Sequence, residues 1–307
     1  MSKQKRAPGP KSFHSRPNME FTVTEPISLF DFLLLKLSNK SRNYVKSLLT
    51  HGEIFVDGRQ TTQYDTVLKA GQKIRIKQTV VREKKEKGTL EILYEDSDLI
   101  VVNKPAGLLT IASDKEKTAT AYHLLTDYVR QKDPRSRIFI VHRLDRDTSG
   151  VLMFAKNERI KLALQDNWSD LVSDRGYVAI VEGQLKEKSG QIHSWLKQTK
   201  TLIVYSSHRK GDGLEAITDY QVIHETPEYS FLEIHLQTGR KNQIRVHMKD
   251  IGHSVVGDKK YGSETDPLKR LGLHANKLEF KHPFTGNVMC FQTKIPKKFT
   301  SLFEGSK

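Results

Sequence analysis

Residues 80–88 read VVREKKEKG, a charged run without apolar periodicity that closes on a glycine, and such a stretch offers no face that a core can bury. It is predicted to be a linker. It divides 307 residues into a short front part and a long back part, which matches about two domains at the usual ~100–200 residues each. The front part is read as a flexible basic arm over residues 1–20 and a small folded module over 21–79. The back part, 89–307, is read as one larger domain.

In the arm, Pro8, Pro10, Pro17 and Gly9 stand among lysines and arginines, with Phe13 as its aromatic residue, so nothing there is built to be buried. From Phe21 the pattern changes. Ser28 is placed to cap a helix whose apolar residues Leu29, Phe32, Leu33 and Leu37 recur at three and four, and Ser41 is placed to cap a second with Val45, Leu48 and Leu49. His51-Gly52 closes that helix. Ile54-Phe55-Val56 then runs into Asp57-Gly58, a strong hairpin-turn signal, ahead of a strand at Lys73 to Lys77.

Behind the linker, strands are predicted at Leu90 to Leu93 and Leu99 to Val102, joined by an acidic turn, and at Val151 to Phe154, Tyr177 to Val181, Thr218 to Ile223 and Phe231 to Leu236. Helical patterns fall near Ala119 to Val129, Glu158 to Asp166 and Lys241 to Ile251. The order is not a regular alternation of strand and helix. The expectation is therefore the α+β class, a helix-helix-sheet module followed by a mixed, largely antiparallel sheet with helices packed on it.

Composition narrows the function classes. The net charge is +15, and the first 88 residues hold 18 basic and 8 acidic side chains, two-thirds of that excess. So basic a front end favours a polyanion such as nucleic acid as partner, against the plainer reading of a solubilising surface. The single cysteine, Cys290, excludes disulfide frameworks and multi-cysteine zinc sites, and points to a reducing, cytoplasmic home. The densest apolar cluster, Leu29 to Leu37, is broken by Asp31 and Lys36, so no membrane span is expected. The N-terminal residues lack an apolar segment after their charges, which argues against a secretory signal; a transit peptide is a weaker reading of the same Pro-broken arm.

Several familiar sites are absent from the sequence. Gly252 to Lys259, GHSVVGDK, lacks the lysine a phosphate loop needs after its second glycine, and no GxGxxG follows a strand. His247 and His253 have no third ligand nearby in sequence, so no metal is expected. The densest polar constellation is VHRLDRDTSGVLMFAKN, residues 141–157, a loop leading into an apolar strand. Asp145 lies there between Arg143 and Arg146, and cations close by would keep it charged and suited to act as nucleophile or base. Spacing alone leaves two other readings open: an arginine–aspartate network that merely stabilises the turn, and an acid/base pair of Asp145 with Asp147.

HRLDRDTSG, residues 142–150, resembles the catalytic signature of the RluA-like family of pseudouridine synthases, and further segments are similar to that family in the same order. They are NKPAG at 103–107, Arg175-Gly176-Tyr177 with Val178 and Ala179, TGRKNQIRVHMKDIGHSVVGDKKYG at 238–262, and LHANKLEFKHPFTG at 273–286. The likeness spans residues 90–300. The module at about 24–78 resembles the ribosomal-protein S-four type of RNA-binding domain.

The resemblance implies isomerisation of a uridine already in RNA, without metal or cofactor: the bond from nitrogen to sugar breaks, uracil turns, and its carbon 5 joins the anomeric carbon. It implies Asp145 as the essential aspartate, by attack on the sugar, by assisting deprotonation of the sugar, or by addition to the base. It implies Tyr177 as the tyrosine that stacks on the base and helps remove the carbon 5 proton, and Arg245 as the partner of the carboxylate. A dry pocket needs such a cation, and lysine would lose the planar fork. His142 and Arg143 are expected to bind phosphate or order the loop, and Arg146 to contact phosphate or act as a wedge while the uridine is extruded. Lys40, Arg42, Lys46 and Arg59 of the front module are expected to grip phosphates. The sequence departs from the family at Asn242, where a histidine is usual, which puts a titrating role at that position in doubt. The expected partner is RNA, ribosomal before transfer RNA, with no obligate protein partner. A non-catalytic RNA-binding protein on the same scaffold and a nucleosidase that releases free base are the rival readings.

Overall fold

The computed structural model describes residues 19–38, 42–50, 52–76, 90–113 and 116–304. The basic arm up to residue 18, Lys40, Ser41 with its expected cap, and the linker lie outside the described residues. The chain divides into two compact units, Met1–Gly88 and Thr89–Lys307.

In the first unit the described elements are β1 (Met19–Thr22), β2 (Ile27–Ser28), α1 (Leu29–Lys36), α2 (Arg42–Thr50), β3 (Ile54–Val56), β4 (Arg59–Gln60), β5 (Val67–Leu68) and β6 (Lys73–Ile76). Local chemistry accounts for most of them. The Ser28 hydroxyl accepts from the Asp31 amide at 3.2 Å and starts α1. Asp57 and Gly58 both take positive φ, 46° and 83°, the requirement of a two-residue turn that joins β3 to β4 with Val56 opposite Arg59. Leu29, Phe32, Leu33, Val45, Leu48 and Leu49 form one buried cluster with Ile54, Ile74 and Ile76 of the sheet β1-β6-β3-β4.

The second unit holds β7 (Glu91–Glu95), β8 (Leu99–Lys104), α3 (Ala121–Lys132), β9 (Phe139–Ile140), β10 (Ser149–Ala155), α4 (Glu158–Asp166), α5 (Trp168–Leu171), β11 (Val172–Glu182), β12 (Ser189–Gln198), β13 (Val204–Ser207), β14 (Leu214–Glu225), β15 (Tyr229–Leu236), α6 (Gln243–Asp250), β16 (Leu273–Lys281), β17 (Val288–Gln292) and α7 (Lys297–Thr300). Eleven strands make one sheet with the path β13-β12-β14-β15-β11-β16-β10-β8-β7, while β17 pairs with β16 and β9 with β10. Among these strands β10 and β16 run parallel and the other pairings are antiparallel, so the α+β class with a mixed, largely antiparallel sheet holds.

The central strands are covered on both faces, which explains why their sequences are unbroken apolar runs rather than alternating ones. Along β10, Val151, Met153 and Ala155 pack with Ile160 and Leu164 of α4, while Leu152 and Phe154 pack with Leu125 and Val129 of α3. Along β11, Ala179 and Val181 meet Ile244 and Met248 of α6, while Val178 and Ile180 meet Phe299 of α7. Strands β9, β12, β13, β16 and β17 are additions to the expected set. In β12 and β16 the buried positions include Ser194 and His274, polar residues that break the apolar period a strand is recognised by.

At the junction of β10 with β16, Gly150 stands opposite Ala275 with φ 119°, and a Cβ there would lie 2.0 Å from the Ala275 carbonyl oxygen. Backbone meets backbone, so no side chain can yield. Gly150→Ala is expected to destabilise the second unit by roughly 2–4 kcal/mol, seen in thermal unfolding as a Tm lower by about 5–15 °C. An unchanged Tm would mean that the two strands are free to part there.

Candidate active site

The loop 142–148 enters β10, and backbone clamps hold it in place. His142 Nε2 accepts from the Met153 amide at 3.1 Å, and its ring packs on Trp168 with centroids 5.2 Å apart. Burial, reinforced by the charge of Arg175, drops its pKa to about 4. Of the two uses expected of His142, this arrangement serves the ordering of the loop, because a neutral ring brings no charge to a phosphate. The Thr110 hydroxyl donates to the Leu144 carbonyl at 2.8 Å and accepts from its amide at 3.2 Å. Lys104 is fully buried and donates to the carbonyls of Pro105, Leu108 and Arg146 at 3.0, 2.8 and 3.0 Å; burial lowers its pKa to about 7. The residues before and after Asp145 are thus both tied down through their backbone carbonyls.

Asp145 itself meets Arg245, a residue one hundred positions later on α6, with Nη1 3.2 Å from its Oδ2. The rest of that guanidinium is committed elsewhere. Nε and Nη2 donate to the two oxygens of Asp258 at 2.6 and 2.7 Å, and Nη1 also donates to the Asn242 side-chain oxygen at 3.1 Å. Burial opposes the charge on Arg245, but the paired bonds and charge of Asp258, followed by Asp145, outweigh it and raise the pKa. The Asp258 side chain is 1% exposed, a buried carboxylate made tolerable by this fork. Asn242 sits in the left-handed region at φ 56°, donates from Nδ2 to the Tyr261 hydroxyl at 2.8 Å, and carries no titrating group.

The arginines that flank Asp145 in sequence do not neutralise it. Arg146 turns to Asp147, with two contacts of 3.1 Å, and Arg143 is exposed at the rim, because consecutive side chains of the loop diverge. The cation expected of the neighbours is supplied by Arg245. Asp145 is 28% exposed and lines a cleft of about 450 Å³ together with His142, Arg143, Tyr177, Arg240 and Arg245. Tyr177 comes from β11. Burial raises its phenol to a pKa of about 12, against the pull of Arg175, so the hydroxyl remains a proton donor at neutral pH. Arg42, Lys46 and Arg59 are exposed on the first unit, with the Arg42 guanidinium 5.5 Å from the Phe30 ring. Lys104 and Asp258 were not among the site residues expected, although both stand inside the quoted motifs. Among the described residues no group of three or more His, Cys, Asp and Glu is placed to hold a metal ion, and no helix is long and apolar enough to cross a membrane.

Residues 98–250 match the family described as RNA pseudouridylate synthase. The chain is 31% identical to the RNA pseudouridine synthase YhcT of Bacillus subtilis (strain 168), itself uncharacterised, over 88% of this chain and 91% of that protein. It is 35% identical to tRNA pseudouridine synthase C of Haemophilus ducreyi over 70% of this chain and 94% of that one. Among solved structures, human RNA Pseudouridylate Synthase Domain Containing 1 aligns with a TM-score of 0.55 and 26% identity, covering 68% of this chain and 85% of that one.

Two further histidines are built into the walls behind the cleft. His247 is bonded through both ring nitrogens, to Ser194 at 2.9 Å and Thr218 at 2.8 Å, and His274 likewise to Ser149 at 2.7 Å and Thr293 at 2.9 Å. Burial above all lowers each to a pKa of about 4. The unfolded chain, with histidines near 6.5, then binds more protons than the native one between those values. Their contribution to stability is whole above pH 6.5 and is lost as the pH falls towards 4. Urea denaturation at stepped pH should show these two rings together with His142 lowering stability by roughly 3–4 kcal/mol per pH unit near pH 5, and by about 1 kcal/mol less per unit in His247→Gln or His274→Gln. A flat profile across that interval would mean that the rings are charged in the native state.

Proposed function

The chain belongs to the family of RNA pseudouridine synthases and isomerises uridine within RNA to pseudouridine, and from that premise we propose that Asp145 is its catalytic carboxylate, Arg245 the cation that holds it, and Tyr177 the ring against which uracil stacks. The observation that carries this reading is the 3.2 Å contact between Asp145 and Arg245 in a cleft that Tyr177 also lines. In the reaction the bond from N1 to the anomeric carbon breaks, uracil stays in the cleft and turns, carbon 5 bonds to the anomeric carbon, and the carbon 5 proton departs while N1 gains one. A cleft that holds a fixed carboxylate suits a step in which the sugar becomes electron-poor, because a negative charge already in place stabilises it with little rearrangement. Extruding the uridine costs about a few kcal/mol, which stacking on an aromatic ring and contacts to phosphate offset.

The assignment has a direct assay. RNA carrying tritium on carbon 5 of uracil should release it without strand cleavage and without free uracil. Asp145→Asn should cut release by at least about a thousandfold while RNA binding changes little. Turnover that persists in this variant overturns the role of Asp145, and free uracil would make the protein a nucleosidase.

We further propose that the first unit is an RNA-binding module of the ribosomal-protein S-four type, that the substrate is ribosomal RNA, and that the enzyme works in the cytoplasm without an obligate protein partner. Support for the module comes from its concentrated positive charge and from Arg42 and Lys46, which stand one helical turn apart on α2, with Arg59 on β4 and Lys40 just before α2. Transfer RNA is the second reading, favoured by the likeness to tRNA pseudouridine synthase C. Replacing Arg42, Lys46 and Arg59 together by glutamine should lower RNA affinity and reduce the salt slope of binding by up to about three. An unchanged slope removes these residues from the interface. Mapping pseudouridines in ribosomal and transfer RNA with and without the gene decides the substrate.

A further inference from the structure

The turn between β12 and β13 carries a residue that folding does not explain. Leu202 has φ 64°, the left-handed region that glycine or asparagine adopts more readily, and yet its side chain is 59% exposed. Neither backbone comfort nor burial accounts for a leucine there. The turn is well ordered all the same: the Thr199 amide donates to the Ile203 carbonyl at 2.8 Å, the Leu202 amide to the Thr199 carbonyl at 3.0 Å, and the Ile203 amide to the Thr199 hydroxyl at 3.1 Å.

Three contacts fasten this turn to Lys260, Tyr261 and Lys241, the last of which lies in sequence between the cleft-lining Arg240 and Asn242. Lys260 Nζ donates to the Leu202 carbonyl at 3.0 Å, the Val204 amide to the Tyr261 hydroxyl at 3.3 Å, and Lys241 Nζ to the Gln198 side-chain oxygen at 3.3 Å. Tyr261 in turn lies 4.9 Å from the Arg245 guanidinium. One side chain therefore separates the turn from the group that holds Asp145. Positive charge is crowded around these contacts: burial, followed by the charges of Arg245 and Lys241, lowers the pKa of Lys260, while Lys200 is exposed at the turn itself. An apolar tip ringed by ammonium groups matches a nucleic-acid strand, whose bases are apolar on their faces and whose phosphates are anionic.

We propose that residues 199–203 are part of the RNA site, with Leu202 entering the base stack beside the extruded uridine and Lys200 and Lys260 meeting the phosphates around it. This rests on the uridine-isomerising reading. A target uridine leaves a gap in the stack when it turns out, and an apolar side chain on a turn anchored beside the cleft-lining segment fills that gap and keeps the base from returning. A rigid, strained tip does this better than a relaxed, mobile one.

The test uses the full-length protein with ribosomal and transfer RNA transcripts that carry tritium on carbon 5 of uracil. Leu202→Asn suits the left-handed backbone, so its Tm should equal that of the wild type, while kcat/KM for tritium release falls by about 10–100-fold, mainly in kcat, with a smaller change in filter-binding affinity. Leu202→Met, which restores an apolar tip, should recover most of the rate. Lys260→Gln should weaken binding and lower the salt slope by about one. Release by Leu202→Asn within about twofold of the wild type overturns the proposal, and in that outcome wild-type release leaves the isomerase reading intact. If the wild type itself releases no tritium from any transcript, both fall.

Discussion

The second unit is organised around one guanidinium. Arg245 has two carboxylates within reach and treats them unequally: Asp258 takes two parallel bonds and is shut away from water, while Asp145 takes one and keeps a face to the cleft. A planar fork makes this division possible, since one edge can be saturated while a nitrogen of the other is still free to donate. An ammonium group has no such edge. The buried partner orients the arginine, and the oriented arginine sets the position at which a second carboxylate is held.

That position is useful only if Asp145 cannot drift, and the sheet provides for this. Its loop is closed off by the His142 contact to Met153 at one end and by the parallel junction of β10 with β16 at the other. Between them, Thr110 fixes Leu144 and Lys104 fixes Arg146. Lys104 is an expensive residue to bury, yet each of its three hydrogens meets a carbonyl, which turns the cost into a joint between the 103–108 loop and the residue after Asp145. Strands covered on both faces give the frame to which these ties are anchored.

Much of this was legible in the sequence wherever the cause is local. Ser28 caps α1, Asp57-Gly58 makes its hairpin, and the 158–166 helix has the predicted bounds, because each depends on residues a few positions apart. Asp145, Tyr177 and Arg245 were singled out by their motifs, and the structure brings all three to one cleft. The flanking arginines were the natural candidates to neutralise Asp145, and that inference failed for a reason of geometry: neighbours in sequence on a loop point apart, whereas a residue one hundred positions away on α6 points in. Asp258 and Lys104 had no signal of their own. An acid in a glycine-rich stretch and a lysine before a proline look like surface residues until tertiary contacts bury them.

The distribution of charge around the cleft follows from the same economy. Its permanent cations are arginines, whose charge does not vary across the physiological range, and Arg245 is pushed further from titration by its partners. The histidines nearby are treated in the opposite way, each buried and bonded until it stays neutral well below pH 7. Asn242 continues the pattern, supplying Arg245 with an acceptor that neither gains nor loses a proton. Had an imidazole been left half-exposed beside Arg245, its protonation near pH 6.5 would set a second cation against the first and weaken the hold on Asp145. The field at Asp145 is instead built chiefly from arginines that stay charged and histidines that stay neutral, with buried Lys104, its pKa lowered to about 7, as a group that can titrate there.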